Sequence, residues 1–358
     1  MVHLGYSVAE IAGTERAFRD TLTPSRQCRF GYDFCIFNPS RIGVVMNNTV
    51  FFDSDVSDQV RRQQLYDGQL FAYSARPSIK AFTDFAKSMI EDAFGGLDPQ
   101  VAQNSMAVEE YAELLGKLKP TFIHHPESKR HVQAILQDFG CDLERTYFDV
   151  PRMRSSTSDG YLTTGIALAW HPHRDTWYSA PSCQINWWLP IYAIQSSNAM
   201  AFHPRYWTEP VENNSADYNY YVWNKLHRGQ NITKMIKSDP RPLPRASHPM
   251  ELDPQTRLIC PVGGIVLFSA AQMHSSVPNT SGVTRFSIDF RTVHLDDAAA
   301  RRGAPNIDSS CTGTVMRDFL CAADLSKMPD DIIALYDDGT EASGDLVYKP
   351  QLEEVRGS

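Results

Sequence analysis

The sequence predicts a mainly β protein, an antiparallel barrel or jelly roll, with supporting α-helices placed mostly towards the N-terminus. Three observations predict it. Between Thr146 and Val293, short apolar stretches rich in Val, Ile, Phe and Trp recur, divided by Gly, Pro, Asn and Ser, which is the pattern of short strands joined by turns. Between residues 78 and 139 the apolar residues recur instead at helical spacing. The 358 residues are 42% hydrophobic and 21% charged, a globular balance with chain enough for a sizeable core.

Taken in order, residues 10–22 fit a short helix, and residues 26–75 look extended, with apolar runs at 35–37 and 42–46 and a strand over 68–73. A helix follows. Ser78 can cap it after Pro77; Ile79, Phe82, Phe85, Ala86, Met89, Ile90 and Phe94 form its apolar face, and Gly95-Gly96 end it. A second helix fits 105–118, closed by Pro120, and a third fits 127–139, closed by Gly140, with His124-His125 as capping or surface residues at its start. Strands are then expected over 147–154, 160–170, 184–194, 200–203, 265–269 and 285–293. Residues 205–256 form a long polar, aromatic insertion, and an ordered loop of that length is more often functional than idle. The tail from Asp296 is expected to pack over the outside, with a short helix near 315–324. The whole reads as one catalytic domain, 1–358: N-terminal support (1–145), a β core (146–295, with the 205–256 insertion) and a C-terminal extension (296–358).

Lys and Arg number 34 against 42 Asp and Glu, a net charge of −8, and no basic run appears. That argues against nucleic acid as a partner and, more weakly, against anionic membranes. Seven scattered cysteines without a Cys-x-x-Cys pair favour free thiols in a reducing compartment. No leader pattern opens the chain, and no apolar run approaches the ~20 residues of a membrane span. A cytoplasmic protein acting on a small molecule is expected; nothing indicates the oligomeric state.

The chemistry centres on His173 and Asp175. On a strand, alternate side chains face the same way, so these two point together and Arg174 points elsewhere. His274 supplies a second imidazole about a hundred residues on. Two His and one carboxylate suit iron(II) with open coordination positions. Downstream, Arg285, Ser287, Asp289 and Arg291 share one strand face, and Phe286, Ile288 and Phe290 share the other. A guanidinium inside a barrel requires an anionic partner, and a planar dicarboxylate is a natural one. Gln184, Asn186 and Trp188 likewise share a face.

Together these motifs resemble the iron(II)- and 2-oxoglutarate-dependent oxygenase superfamily, and within it the phytanoyl-CoA-hydroxylase-like branch. That family's His-x-Asp, distant His and following Arg-x-Ser fall on His173, Asp175, His274, Arg285 and Ser287; its Trp, Asn and Pro-containing turn fall on Trp188, Asn198 and His203-Pro204. The likeness covers roughly residues 145–295. The branch's usual Asn-Gly and Pro-Gly-Ser-His are replaced by Asn198-Ala199 and Pro204-Arg205-Tyr206, which loosens any transfer of substrate class. The resemblance implies a double-stranded β-helix, cupin-like, with iron held by His173, Asp175 and His274. It implies 2-oxoglutarate held at its distal carboxylate by Arg285 and Ser287, with Trp188 lining that pocket; Asn186, an inward amide on the same strand face that needs a partner, is expected to line it too. It also implies oxidation of a small metabolite by O2, most simply hydroxylation, with release of succinate and CO2. Asp175 favours hydroxylation over halogenation, because halogenating relatives carry a small residue there. The 205–256 insertion is expected to cover the substrate.

Two other readings stay open. His171 precedes His173 by two, so His171, His173 and His274 could serve a cupin-like dioxygenase or isomerase independent of 2-oxoglutarate. A non-catalytic jelly-roll binding module is the other. His203, His227, His248 and His294 have no partner at metal spacing and are assigned surface or loop roles. Trp170, Trp177, Tyr178 and Trp187 are assigned to the core. Arg152 and Arg154 could meet an acidic substrate group or pair with carboxylates at the barrel edge, and Arg291 could be a second clamp or an ion-pair partner.

Overall fold

A computed structural model describes residues 49–228 and 231–340. The readings made for residues 10–22, 35–37 and 42–46 and for Cys28 and Cys35 lie outside them. The other five cysteines are free.

Seven α-helices and eleven strands are formed among the described residues. β1 (Val50–Phe52), α1 (Asp58–Tyr66) and β2 (Leu70–Tyr73) precede three longer helices, α2 (Pro77–Phe94), α3 (Val108–His124) and α4 (Pro126–Asp138). Then come β3 (Thr146–Phe148), β4 (Arg152–Ser156), β5 (Ile185–Pro190), β6 (Met200–Phe202), α5 (Tyr220–His227), β7 (Thr256–Arg257), β8 (Ile265–Ser269) and β9 (His274–Ser276). β10 (Arg285–His294), α6 (Leu295–Ala299), β11 (Leu320–Cys321) and α7 (Asp330–Ala334) complete the described chain. Helices are thus not confined to the N-terminal part: three short ones lie among and after the strands.

The larger sheet has eight strands in the order β1-β2-β8-β5-β10-β3-β11, with β4 also paired to β10; the smaller runs β7-β6-β9. Only the β1–β2 pair of the larger sheet is parallel. Alternation along β5 and β10 divides the larger sheet into two faces. Ile185, Trp187, Leu189, Phe286, Ile288 and Phe290 enter the main core together with Phe82, Leu115 and Ile135 of α2, α3 and α4. On the opposite face Trp188 and Phe268 meet Phe202 of the smaller sheet in a separate apolar cluster. The polar residues of β5 and β10 therefore open between the sheets, and the helices seal the other side.

Several local expectations are corrected. The residue capping α2 is Arg76, with Pro77 in the first turn, so Ser78 lies inside the helix; a proline is well suited to that first position. Pro120 does not close α3, which continues to His124. Leu118 and Phe122 on either side of it are buried, and packing outweighs the single backbone bond a proline removes. His125 does cap α4, accepting from the Glu127 N–H through its ring at 3.1 Å. Residues 147–154 make two strands, because Pro151 cannot donate to a ladder and the Asp149 carboxylate takes the Arg291 N–H at 2.7 Å. Residues 160–170 form no strand. Gly165 adopts φ +57°, where a Cβ would stand 2.3 Å from the Ile232 carbonyl, and a turn with a short 3-10 segment, Gly165–Ala167, results. In the tail, Val315–Asp318 is a 3-10 turn, and the chain then joins the sheet as β11 beside β3.

Candidate metal centre

His173, Asp175 and His274 come together, each offering one ligand atom, and these atoms lie within 4.8 Å of one another. The local structure differs from a plain strand. His173 pairs with His274 through two reciprocal backbone bonds of 3.0 Å. Arg174 is extended, and a 3-10 turn then begins at Asp175, whose N–H donates to the Ala270 carbonyl at 2.9 Å. One extended residue between them is enough to put His173 and Asp175 on the same side.

The histidines are oriented alike. Nδ1 of His173 lies 2.8 Å from the His171 carbonyl, and Nδ1 of His274 lies 2.9 Å from the Gln272 carbonyl. A proton held at Nδ1 by a carbonyl leaves the Nε2 lone pair for a metal. Asp175 Oδ1 is 3.5 Å from His173 Nε2 and 3.9 Å from His274 Nε2. Its other oxygen meets Gln184 Nε2 at 3.3 Å and Arg291 Nε at 3.7 Å. Burial by itself would raise the Asp175 carboxyl, but its contact with His173 and the charge of Arg291 hold it well below the usual carboxylate range. Burial, with His173 beside it, pushes His274 down to about 3. An ionised carboxylate and a neutral imidazole are the states in which these groups bind metal.

Arg174 points the opposite way. It is 1% exposed and donates to Asp308 at 3.0 Å and to the Ala271 carbonyl at 2.7 Å, as well as to the Tyr206 carbonyl. Asp308 also accepts from Trp177 Nε1 at 2.7 Å. The C-terminal extension therefore packs against the His-x-Asp segment. Arg174→Ala strands a buried carboxylate, and a loss of about 3–5 kcal/mol in stability is expected, read as a fall in the urea midpoint.

His171 stands apart from the cluster: its Nε2 lies 2.8 Å from the Pro244 carbonyl and 3.3 Å from Tyr178 Oη. His203 and His294 are buried, contrary to a surface role. His203 bonds Ser275 Oγ at 2.9 Å, and His294 caps α6. His248 is exposed, as expected.

A cavity of about 430 Å³ adjoins the cluster. Arg285, Trp188 and Asn186 line it. The Arg285 guanidinium lies 5.6 Å from the Trp188 ring centroid and donates to the Asn198 carbonyl at 2.8 Å. Its Nε and the Ser287 hydroxyl are buried without a hydrogen-bond partner among the described residues. Burial lowers Arg285 to about 10, so it remains charged at neutral pH. Asn186 Oδ1 accepts from Gln184 Nε2 at 3.0 Å, the same nitrogen that meets Asp175, while its side chain lines the cavity.

The rest of the wall is a lattice of charge. Arg154 grips Asp289 at 2.5 and 3.2 Å, Arg291 meets Asp289 at 3.2 Å and Asp149 at 3.4 Å, and Arg152 also pairs with Asp149. The edge-pairing reading of Arg152 and Arg154 and the ion-pair reading of Arg291 match these contacts. The insertion adds Tyr218, Tyr220, Trp223 and Arg228, and α3 adds Lys119. Sequence reasoning missed these contributors. The helix expected over 105–118 stopped short of Lys119, and the insertion offered no periodicity to follow.

No known family profile matches the chain, and no curated protein does. Among solved structures it is similar to EvdO2 from Micromonospora carbonacea var. aurantiaca complexed with 2-oxoglutarate, at 12% identity over 67% of this chain and 91% of that one, TM-score 0.38. It is similar to SnoK, a non-heme alpha-ketoglutarate-dependent carbocyclase from nogalamycin biosynthesis, at 12% identity over 70% and 92%, TM-score 0.34. It is also similar to the non-heme monooxygenase ThoJ as a nickel complex, at 11% identity over 60% and 69%, TM-score 0.29. Likenesses this distant carry no chemistry across, and what the site can do follows from its own residues.

Proposed function

We propose that the protein is an iron(II)- and 2-oxoglutarate-dependent oxygenase that oxidises, by hydroxylation, a small organic molecule. The observation that carries this reading is the pairing of two features beside one cavity. One is a buried His-Asp-His set whose Nε2 atoms are left free by carbonyl contacts at Nδ1. The other is Arg285, buried with its Nε and the Ser287 hydroxyl unpartnered. Two imidazoles and one carboxylate fit iron(II) with positions left over, and a buried guanidinium with a hydroxyl beside it fits a carboxylate. In this reading residues 146–295 are a double-stranded β-helix within one catalytic domain.

Bound iron(II), 2-oxoglutarate and O2 together supply an oxidant that removes hydrogen from a C–H bond, with succinate and CO2 as co-products. His173, Asp175 and His274 hold the metal; Gln184 and Arg291 fix Asp175 by its second oxygen. Arg285 and Ser287 hold the distal carboxylate of 2-oxoglutarate, and Trp188 forms a wall beside Arg285. The aromatic insertion lines the remaining space and limits water.

The test is anaerobic. Fe(II) followed by 2-oxoglutarate should produce a visible charge-transfer band with the wild-type protein, and its absence would overturn the proposal. Gln184→Ala should weaken Fe(II) binding by about 10–100-fold, the range for partners that orient a ligand, measured by competition with a chelator.

A further inference from the structure

Among the described residues, the cavity wall carries one cation besides Arg285 that has no acid of its own. Apart from Arg285, the arginines lining the cavity each meet an aspartate: Arg152 with Asp149, Arg154 and Arg291 with Asp289, Arg228 with Asp318 and Arg241 with Asp239. Lys119 differs. It is 7% exposed, and Nζ donates to Ser155 Oγ at 2.9 Å and to the Ile166 carbonyl at 2.6 Å. Both partners are neutral, and no carboxylate lies within ion-pair distance of Nζ among the described residues. An ammonium has three protons to give, so one is left.

Arg154 is its neighbour in charge. Nε and Nη2 are spent on Asp289, and Nη1 makes no hydrogen bond among the described residues. Both side chains line the cavity. Burial, then the field of Arg154, lowers Lys119 to about 7, with Asp289 opposing. Two cations sharing a wall, one of them buried and unmatched, raise the energy of that wall until an anion arrives.

The two free N–H groups also limit what the anion can be. A carboxylate has two oxygens for two donors, whereas a phosphate dianion would leave most of its acceptors unmet here. The surrounding surface is aromatic and apolar, with Trp170, Tyr178, Tyr218 and Trp223 facing the same space. At about 430 Å³ the cavity falls in the range that encloses a small organic ligand.

We infer that the substrate is a ring-containing carboxylic acid, seated by its carboxylate on Lys119 and Arg154 with its apolar body against the aromatic wall. This rests on the proposed function only in treating the cavity as the substrate chamber. The acid is a ligand distinct from 2-oxoglutarate, which belongs to Arg285.

The experiment uses the full chain, metal-free, saturated with 2-oxoglutarate. A panel of one- to three-ring aromatic and alicyclic carboxylic acids is titrated calorimetrically beside the matching primary carboxamides. Acids should bind at least about tenfold tighter than their amides, a difference of about 1.4 kcal/mol. Lys119→Met should erase that preference, and Lys119→Arg should keep part of it. Between pH 6 and pH 9 the wild-type affinity for acids should fall, because Lys119 loses its proton across that range. Acids that bind no better than amides, no binding below about 1 mM across the panel, or a preference that survives Lys119→Met would each overturn the inference. Should Lys119→Met fail to fold, the pH series and Lys119→Arg decide. Acid selectivity with no charge-transfer band would sink the oxygenase reading and leave the subsite standing; a band without acid selectivity would do the reverse.

Discussion

His274→Ala is expected to fold and to lose iron. The backbone N–H and carbonyl of residue 274 make the two bonds to His173, and alanine keeps both. What disappears is an Nε2 donor facing Asp175 at 3.9 Å. Removing a group that merely supports a ligand costs about 10–100-fold in metal affinity, and removing the ligand itself should cost more. The anaerobic charge-transfer band should vanish, while the circular dichroism spectrum stays close to wild type. His171→Ala is the matched control. Because its Nε2 is engaged by the Pro244 carbonyl, that variant should keep the band. A band of normal strength in His274→Ala would remove His274 from the ligand set, and loss of the band in His171→Ala would make His171 a ligand.

Arg285→Gln carries the second large effect. The guanidinium is buried, and Nη1 is already given to the Asn198 carbonyl, so Nε and the rest of the fork remain for a carboxylate. Breaking a buried charge pair by removing one partner costs about 3–5 kcal/mol. The 2-oxoglutarate dissociation constant should therefore rise by about two to three orders of magnitude, with Fe(II) affinity unchanged. Ser287→Ala should cost about 1 kcal/mol, the worth of one hydrogen bond. Arg285→Lys should recover little, since an ammonium lacks the planar fork. Calorimetric titration of 2-oxoglutarate into the metal-loaded, oxygen-free variants checks all three. Equal affinity in Arg285→Gln and wild type would remove 2-oxoglutarate from this pocket.

Much of the site was legible because period and spacing survive changes in local structure. The two-residue spacing of His173 and Asp175 placed them together, although Asp175 opens a 3-10 turn and only His173 is bridged to a strand. The two-residue period of β5 and β10 sorted Gln184, Asn186 and Trp188 from Ile185, Trp187 and Leu189, and Arg285 from Phe286. Hidden features were those set by contacts distant in sequence. Nothing near Arg174 announces that Asp308, 134 positions on, will neutralise it. Nothing in the composition of α3 says that Lys119 reaches Ser155. Boundaries failed where one residue's backbone demand met tertiary packing: Pro120 was overruled by buried neighbours, whereas Gly165 overruled an apolar run that reads as a strand.

The reciprocal backbone pair between His173 and His274 bears on how the protein behaves without its metal. Two candidate ligands a hundred positions apart are the two ends of one hydrogen-bonded rung, so their separation is settled when the chain folds. Ion capture then requires no rearrangement of main chain at this pair, so the empty protein should stay folded, with a melting temperature below that of the loaded one. Chelation would leave an intact receptor ready to reload, unlike a zinc finger, which collapses once stripped.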